Sequence, residues 1–327
     1  MHARQPTVAA AVTVAGAFEI PLTMRFRDTR VRCGLLVRGP AGWGEWSPFA
    51  DYEPQLTARW WRAAVEAATG TWPPPLRDTV PVNAIVPAVD PQRAHEIVAT
   101  SGCATAKVKV GDDGDLDRVE AVRDALGPAG RLRVDVNGTW DLDTAVRRLR
   151  QLGRFDLEYV EQPVADLAEF ARLRTRVDVP LAADESVRLA PDPLHIRDIA
   201  AADVVILKVQ PLGGVRQCLE VADACGRPAV VSSAVETSVG LAAGLALAAA
   251  LPTLPYACGL ATLSLLAGDV TAAPLQPVDG RLAVRRPEPD PALIDRWTAT
   301  PEVRTSLEQR LVAAQRVAAG SDAEQRL

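Results

Sequence analysis

Ten polar residues stand where short runs rich in β-branched residues end: Lys107, Lys109, Asp135, Asn137, Glu161, Asp184, Glu185, Lys208, Ser232 and Ser233. Asp135, Glu161 and Asp184 recur at intervals of 26 and 23 residues. Three carboxylates with no histidine or thiol among them form an oxygen-donor set. Such a set suits a hard divalent cation, Mg²⁺ with Mn²⁺ as a substitute, and leaves positions for water and substrate oxygens. Taken singly, each acid reads equally well as a solvated charge at a loop start; three in register are harder to explain that way. Lys107 and Lys109 are two residues apart, so on a strand they face the same way, beside Val108 and Val110. Two half-buried ammonium groups this close disfavour each other's charge, which predicts a lysine of lowered pKa able to act as a base. Lys208 interrupts an apolar run, 204–209, fit for burial on both faces, and by itself also reads as a snorkelling strand-end lysine. Two amines flanking a cation define a reaction type, removal of a proton α to a carboxylate with the enediolate stabilised by positive charge.

These residues must be brought together by the elements that carry them. From residue 82 onward, strand-like runs at 82–86, 104–110, 132–136, 157–160, 180–183, 204–209 and 229–232 alternate with amphipathic stretches. The helix candidates are 116–126, 142–152, 167–177, 215–225 and 239–251. Repeated strand-then-helix units predict a parallel sheet. No Gly-x-Gly-x-x-Gly follows any strand, and the repeat is short, so closure into a TIM-type α/β barrel is expected, with an eighth strand near 256–259. Catalytic groups of such a barrel lie at the carboxyl ends of its strands, and the second and sixth strands face each other across it. Lys109 and Lys208 are therefore expected on opposite sides of whatever the carboxylates hold.

Residues 1–80 read differently. The stretch 8–18, running on to Leu22, is taken as a strand rather than a signal peptide. A second strand at 31–37, a Gly39–Gly42 turn, the Trp43-Gly44-Glu45-Trp46 segment and a helix at 56–68 follow, before a stiff Thr-Trp-Pro-Pro-Pro break at 71–75. The expected division is a first domain at 1–80, a barrel at 81–272, and a returning segment at 273–327, with a polar helix at 302–319, packed on the first domain.

Composition narrows the function classes. Lys and Arg total 36 against 41 Asp and Glu, with no basic run, so the footprint of a nucleic-acid binder is missing. Five scattered cysteines without a C-x-x-C pair and only three histidines argue for reduced thiols in a cytoplasm, not a disulfide framework or a zinc site. The Ala/Leu-rich run 239–251 is interrupted by Gly244 and followed by Pro252, which predicts a buried helix and no membrane span. The expected partner is a small-molecule carboxylate substrate. Oligomeric state is left open, and a monomer is compatible with everything above.

Lys107-Val108-Lys109, Asp135-Val136-Asn137, Glu161-Gln162-Pro163, Asp184-Glu185-Ser186 and Lys208-Val209-Gln210-Pro211-Leu212-Gly213-Gly214 resemble, in that order, the signature of the muconate-lactonising subgroup of the enolase superfamily. The Trp43-Gly44-Glu45 turn resembles that family's capping domain, so the resemblance spans nearly the whole chain. It implies a (β/α)₇β barrel with an α+β capping domain built from both termini. It further implies Mg²⁺ on Asp135, Glu161 and Asp184, acid/base lysines at Lys109 and Lys208, and Lys107 as electrostatic support. Within the subgroup, the segment from Ser232 to Gly240, and Arg25-Phe26-Arg27-Asp28 leading into Gly34 to Gly39, resemble the o-succinylbenzoate synthase family, actinobacterial type. Dipeptide epimerases usually carry an Asp-x-Asp after the eighth strand to hold an ammonium; here the segment reads Gly-Leu-Ala-Thr-Leu-Ser, 259–264. The resemblance implies Mg²⁺-dependent syn dehydration of a hydroxycyclohexadiene carboxylate bearing a succinyl tail. Asn137, Ser232 and Ser233 are then candidate substrate contacts, although the two serines read equally well as a cap for the next helix. Segments 23–30 and 47–53 are expected to close over the barrel mouth. Two alternatives stay open: an N-succinylamino-acid racemase or dipeptide epimerase on the same scaffold, and a non-catalytic binding barrel, which indifference to EDTA would favour.

Overall fold

The computed structural model of this chain describes residues 12–26, 29–198 and 201–324. Seven parallel strands, Ala84–Val86, Thr105–Lys109, Arg131–Asp135, Leu157–Glu161, Leu181–Ala183, Val204–Leu207 and Ala229–Val231, lie side by side in chain order. The circle is completed by the predicted eighth strand, reduced to single bridges: Cys258 pairs with Val82 and Gly259 with Ser232, both parallel. Pro252 and Pro255 precede this segment and cannot donate to a ladder, which accounts for its brevity.

Each strand is buried on both faces, as a parallel barrel requires. The outward valines, Val86, Val108, Val134 and Val160 among them, join the large core beneath the helices. The inward side chains Tyr159, Ala182, Val204, Ile206 and Val230 form a separate cluster that fills the lumen. Its floor is Arg133, fully buried, whose Nε donates to Glu158 (2.6 Å) and whose Nη1 donates to Asn83 Oδ1 (3.2 Å) and Ala257 O (2.7 Å). The guanidinium lies 4.6 Å from the Tyr159 ring centroid. The helices Asp115–Leu126, Leu142–Leu152, Leu167–Arg174, Val215–Cys225 and Ser238–Ala250 follow the strands as expected. The last is a buried helix of 13 residues, and among the described residues no helix is long and apolar enough to cross a membrane.

The N-terminal layer is an antiparallel sheet of Thr13–Phe26, Thr29–Gly39 and Gly42–Trp46, backed by the helix Pro54–Thr69. The expected strand at 8–18 thus begins at Thr13, and residues 8–11 fall outside the described residues. A Cβ on Gly44 would collide with Ala64 O, so this close approach of helix to strand requires glycine. The chain returns as predicted: the helix Pro301–Glu324 packs on Pro54–Thr69, and Leu307, Leu311 and Ala314 share a second core with Trp46, Trp60 and Trp61. The strand expected at 82–86 is shorter: Ala84–Val86 joins the seven-stranded sheet and Val82 only bridges Cys258, while Thr79–Pro81 pairs antiparallel with Arg281–Ala283.

Candidate active site

A cavity of about 290 Å³ opens at the carboxyl ends of the barrel strands. Lys107, Lys109, Asp135, Asn137, Lys208, Ser232 and Ser233 all line it, together with Arg188, Thr262 and, from the N-terminal layer, Phe49 and Tyr52. Register explains the convergence. Lys109 pairs with Asp135 and Asp135 with Glu161, so three consecutive strands present chemistry at one level, and Asp184 stands two residues beyond Ala182, the partner of Glu161.

Lys107 Nζ donates to Asp135 Oδ2 at 3.0 Å and to Glu161 Oε1 at 2.7 Å. Burial opposes its charge, but attraction to Asp135 and Glu161 outweighs this and raises its pKa well above the ordinary lysine value. The expectation of a lowered pKa is therefore reversed at Lys107: the carboxylates, unseen as neighbours in a strand-by-strand reading, keep it an ammonium. Lys208 Nζ donates to Asp184 Oδ2 at 2.6 Å, and Arg188 Nε to Asp184 Oδ1 at 3.0 Å. Burial opposes ionisation of Asp184, yet Arg188 and Lys208 hold it well below the usual carboxylate range. Glu161 goes the other way, pushed up to about 7 by burial and by its acidic neighbours Asp135 and Asp184, against the pull of Lys107.

The donor set suits a hard divalent cation, since it offers carboxylate oxygens and no imidazole or thiolate. Among the described residues, no three such side chains are drawn tightly enough around one point to hold an ion. Lys107 bridges two of the acids instead, and Lys208 and Arg188 take both oxygens of the third. The cationic groups thus mark where positive charge is required, and an ion has to compete with them.

Lys208 does not extend a strand to residue 209. The strand ends at Leu207, and Lys208 caps a one-turn helix, Val209–Leu212, which turns its amine into the cavity. Asn137 adopts φ +51°, with Nδ2 donating to Glu185 Oε1 at 3.1 Å. The helix-cap reading of Ser232 and Ser233 is corrected. The helix Ser238–Ala250 is capped by Thr237 and by Glu45 from the N-terminal layer, because Ser232 lies five positions before Thr237. Ser233 Oγ instead shares a hydrogen bond with Thr262 Oγ1 at 2.6 Å.

Of the segments expected to close over the site, 47–53 supplies Phe49 and Tyr52 to the cavity wall. It is pinned there by Arg188 Nη1 on Tyr52 Oη (2.5 Å) and by Arg310 Nη2 on Phe49 O (2.7 Å). In segment 23–30, Thr23 Oγ1 donates to Ser264 O and Leu265 O, both at 3.2 Å, while residues 27 and 28 lie outside the described residues. Reading the sequence alone missed Arg188, Tyr52, Phe49 and Thr262 as individual residues. Only Arg188 carried a local signal, its i,i+4 spacing from Asp184.

Residues 91–289 match the enolase C-terminal domain-like family and residues 17–68 the enolase N-terminal domain-like family. The chain is 68% identical over 275 residues to the o-succinylbenzoate synthase of Thermobifida fusca, covering 83% of this chain and 87% of that protein. It is 50% identical over 292 residues to the o-succinylbenzoate synthase of Mycolicibacterium smegmatis, covering 87% and 89%. Among solved structures, muconate lactonizing enzyme from Pseudomonas fluorescens superposes with a TM-score of 0.75 at 21% identity, covering 88% of this chain and 98% of that one, a likeness of fold. From the ordered carboxylates and lysines, the closed barrel and these relatives together, the chain belongs to the o-succinylbenzoate synthase family of the enolase superfamily.

Proposed function

We propose that the chain dehydrates 2-succinyl-6-hydroxy-2,4-cyclohexadiene-1-carboxylate to 2-succinylbenzoate, a step of menaquinone biosynthesis. The observation that carries this reading is a cavity lined by both Lys109 and Lys208 beside three acids, in a chain of this family. Asp135, Glu161 and Asp184 would hold Mg²⁺, with Mn²⁺ as a substitute. When bound, the ion supplies fixed positive charge that favours the doubly charged form of the substrate carboxylate.

Lys109, as the free amine, takes the proton from the carbon bearing the carboxylate. The electron pair left behind forms the new ring double bond as the C–O bond to the hydroxyl breaks. The Lys109 ammonium returns its proton to the departing hydroxide, so water leaves from the face on which it was formed and the ring becomes aromatic. Lys208, whose Nζ donates to Asp184, faces the developing anion from the opposite side. Lys107, fixed on Asp135 and Glu161, positions those carboxylates. Ser232, Ser233 and nearby backbone N–H groups receive the succinyl carboxylate, and Asn137 lines the metal side. Residues 1–80 with 273–327 form the cap and 81–272 the catalytic barrel, a division supported by the reach of Phe49 and Tyr52 into the cavity. Five free cysteines fit a reducing cytoplasm.

The test runs dehydration of the cyclohexadiene beside racemisation of N-succinyl amino acids, with α-proton exchange in D₂O, on the wild type, Lys109→Ala and Lys208→Arg. Lys109→Ala is expected to lose exchange and dehydration together. Lys208→Arg retains charge in a larger, planar group that is a poor proton donor, so it is expected to dehydrate partially and not racemise. Near wild-type dehydration by Lys109→Ala with a dead Lys208→Arg would place the base on the other strand. Racemisation outpacing dehydration in the wild type would replace the synthase reading.

A further inference from the structure

Arg32 lies on the strand Thr29–Gly39 of the N-terminal layer and is almost fully buried, yet it does not line the cavity. Its Nε donates to Val235 O at 3.1 Å, and its Nη2 donates to Ser47 O at 2.5 Å and to Ser47 Oγ at 3.3 Å. The guanidinium carbon stands 4.3 Å from the centroid of the Phe49 ring. One side chain therefore touches both walls of the cavity from behind: Phe49 on the capping side, and the loop bearing Ser232, Ser233 and Ala234 on the barrel side.

The loop needs such a hold. Val235 adopts φ +63°, a left-handed conformation that a β-branched residue reaches only under constraint. Around it, Val235 N donates to Ser233 Oγ (3.2 Å) and Ala234 N to Glu236 Oε2 (2.8 Å), so the Ser233 hydroxyl is oriented by the same turn. The planar fork of a guanidinium can serve Val235 O and Ser47 O at once while its face covers an aromatic ring, and an ammonium cannot do all three.

We propose that Arg32 is a positioning residue that fixes the spacing between Phe49 and the Ser232–Ala234 wall and thereby selects for the substrate's acyl tail. The inference rests on the assignment of that wall to the succinyl carboxylate. It adds a specificity determinant that belongs to the cap and contacts no substrate atom.

The experiment uses the full-length protein with Mg²⁺ and two variants, Arg32→Lys and Arg32→Met. Steady-state dehydration is measured beside the dissociation constants of 2-succinylbenzoate and of benzoate, which lacks the tail. In Arg32→Lys, which keeps the charge beside Glu45 and Glu236, KM and the 2-succinylbenzoate constant are expected to rise about tenfold while kcat and the benzoate constant change less than about threefold. Arg32→Met is expected to show the same split if it folds; Arg32→Lys decides the matter if it does not. Equal loss for both ligands, or a fall in kcat at constant KM, would overturn the proposal. Should the wild type bind neither ligand, the functional reading fails, and crystal structures of wild type and Arg32→Lys still judge Arg32. Val235 leaving positive φ with a displaced Phe49 ring supports it, and an unchanged wall sinks it.

Discussion

Arg188 shows how one residue couples the carboxylate side of the cavity to the N-terminal layer. It donates to Asp184 and, through Nη2, to Glu185 at 2.7 Å, and the same guanidinium reaches Tyr52 of the cap. Removing it leaves Asp184 buried against Lys208 alone among the cations that bond it here. Arg188→Met is therefore expected to cost about 3 kcal/mol in the metal-free protein, as for a buried pair that loses one member. Added Mg²⁺ should recover part of that loss, and denaturant titrations with and without the ion measure both. A loss under about 0.5 kcal/mol would mean that the ion pairs are incidental. The cysteines give a second test at this scale. Burial, helped by Glu19, pushes the Cys33 thiol up to about 11, and burial pushes Cys258 up to about 12. Because the thiolate is the reactive form, the native protein at pH 8 should react slowly with iodoacetamide, faster as pH rises toward 10, and at all five cysteines once unfolded. Mass spectrometry of the labelled protein reads this directly, and rapid native labelling of Cys33 at pH 8 would contradict it.

Among the elements, the helix Ser238–Ala250 joins the two parts of the molecule. Its first turn is capped from another layer: Glu45, on the strand Gly42–Trp46, accepts from Thr237 N and Gly240 N, both at 3.1 Å. A carboxylate at a helix N-terminus is favoured by the free N–H groups and the helix dipole. Burial outweighs these donors and pushes the Glu45 carboxyl up to about 7, so what Glu45→Gln loses is hydrogen bonding rather than a fixed charge, for an expected cost of about 1–2 kcal/mol in denaturant unfolding. No change would show that these hydrogen bonds are incidental to the helix. Gly240 tests packing in the same turn, because a Cβ there would lie 2.6 Å from Glu236 Cβ and 2.8 Å from Gln210 Nε2. An exposed helical Gly→Ala change stabilises by about 1 kcal/mol. Gly240→Ala is instead expected to destabilise by about 1–3 kcal/mol through overpacking, and a raised Tm would refute that.

For the whole molecule, Lys107, Lys208 and Arg188 pair with Asp135, Glu161 and Asp184 within the protein itself, so the fold is expected to stand without a divalent ion. EDTA should abolish dehydration while leaving a single cooperative melt, and Mg²⁺ should raise Tm in proportion to the logarithm of its concentration above Kd. Unfolding on EDTA treatment would show instead that the ion is structural. The barrel was legible because burial on both faces writes continuous apolar runs into a sequence, and those runs end at the residues that carry the chemistry. Helices 142–152 and 215–225 were read with the bounds observed, since their apolar periodicity starts and stops at Asp141, Gly153, Gly214 and Gly226. The eighth strand falls where it is expected, near 256–259, as the bridges of Cys258 and Gly259, but the split of 79–86 between two sheets was not legible, because pairing partners are chosen by closure of the whole barrel rather than by local propensity. At the site, residue type and strand-end position sufficed to single out Lys107, Lys109, Asp135, Glu161, Asp184 and Lys208. What those groups do to one another depended on distances across strands: the raised pKa of Lys107, the bridging of two acids by one lysine, and the grip of Arg188 on Tyr52. The sequence alone determined which chemistry the barrel carries, because side-chain type and the period-two alternation of strands are local properties. Tertiary structure alone decided in which direction Lys107, Glu161 and Asp184 are pushed and which residues of the N-terminal layer line the cavity, because Coulombic attraction and burial are properties of neighbours that lie far apart in the chain.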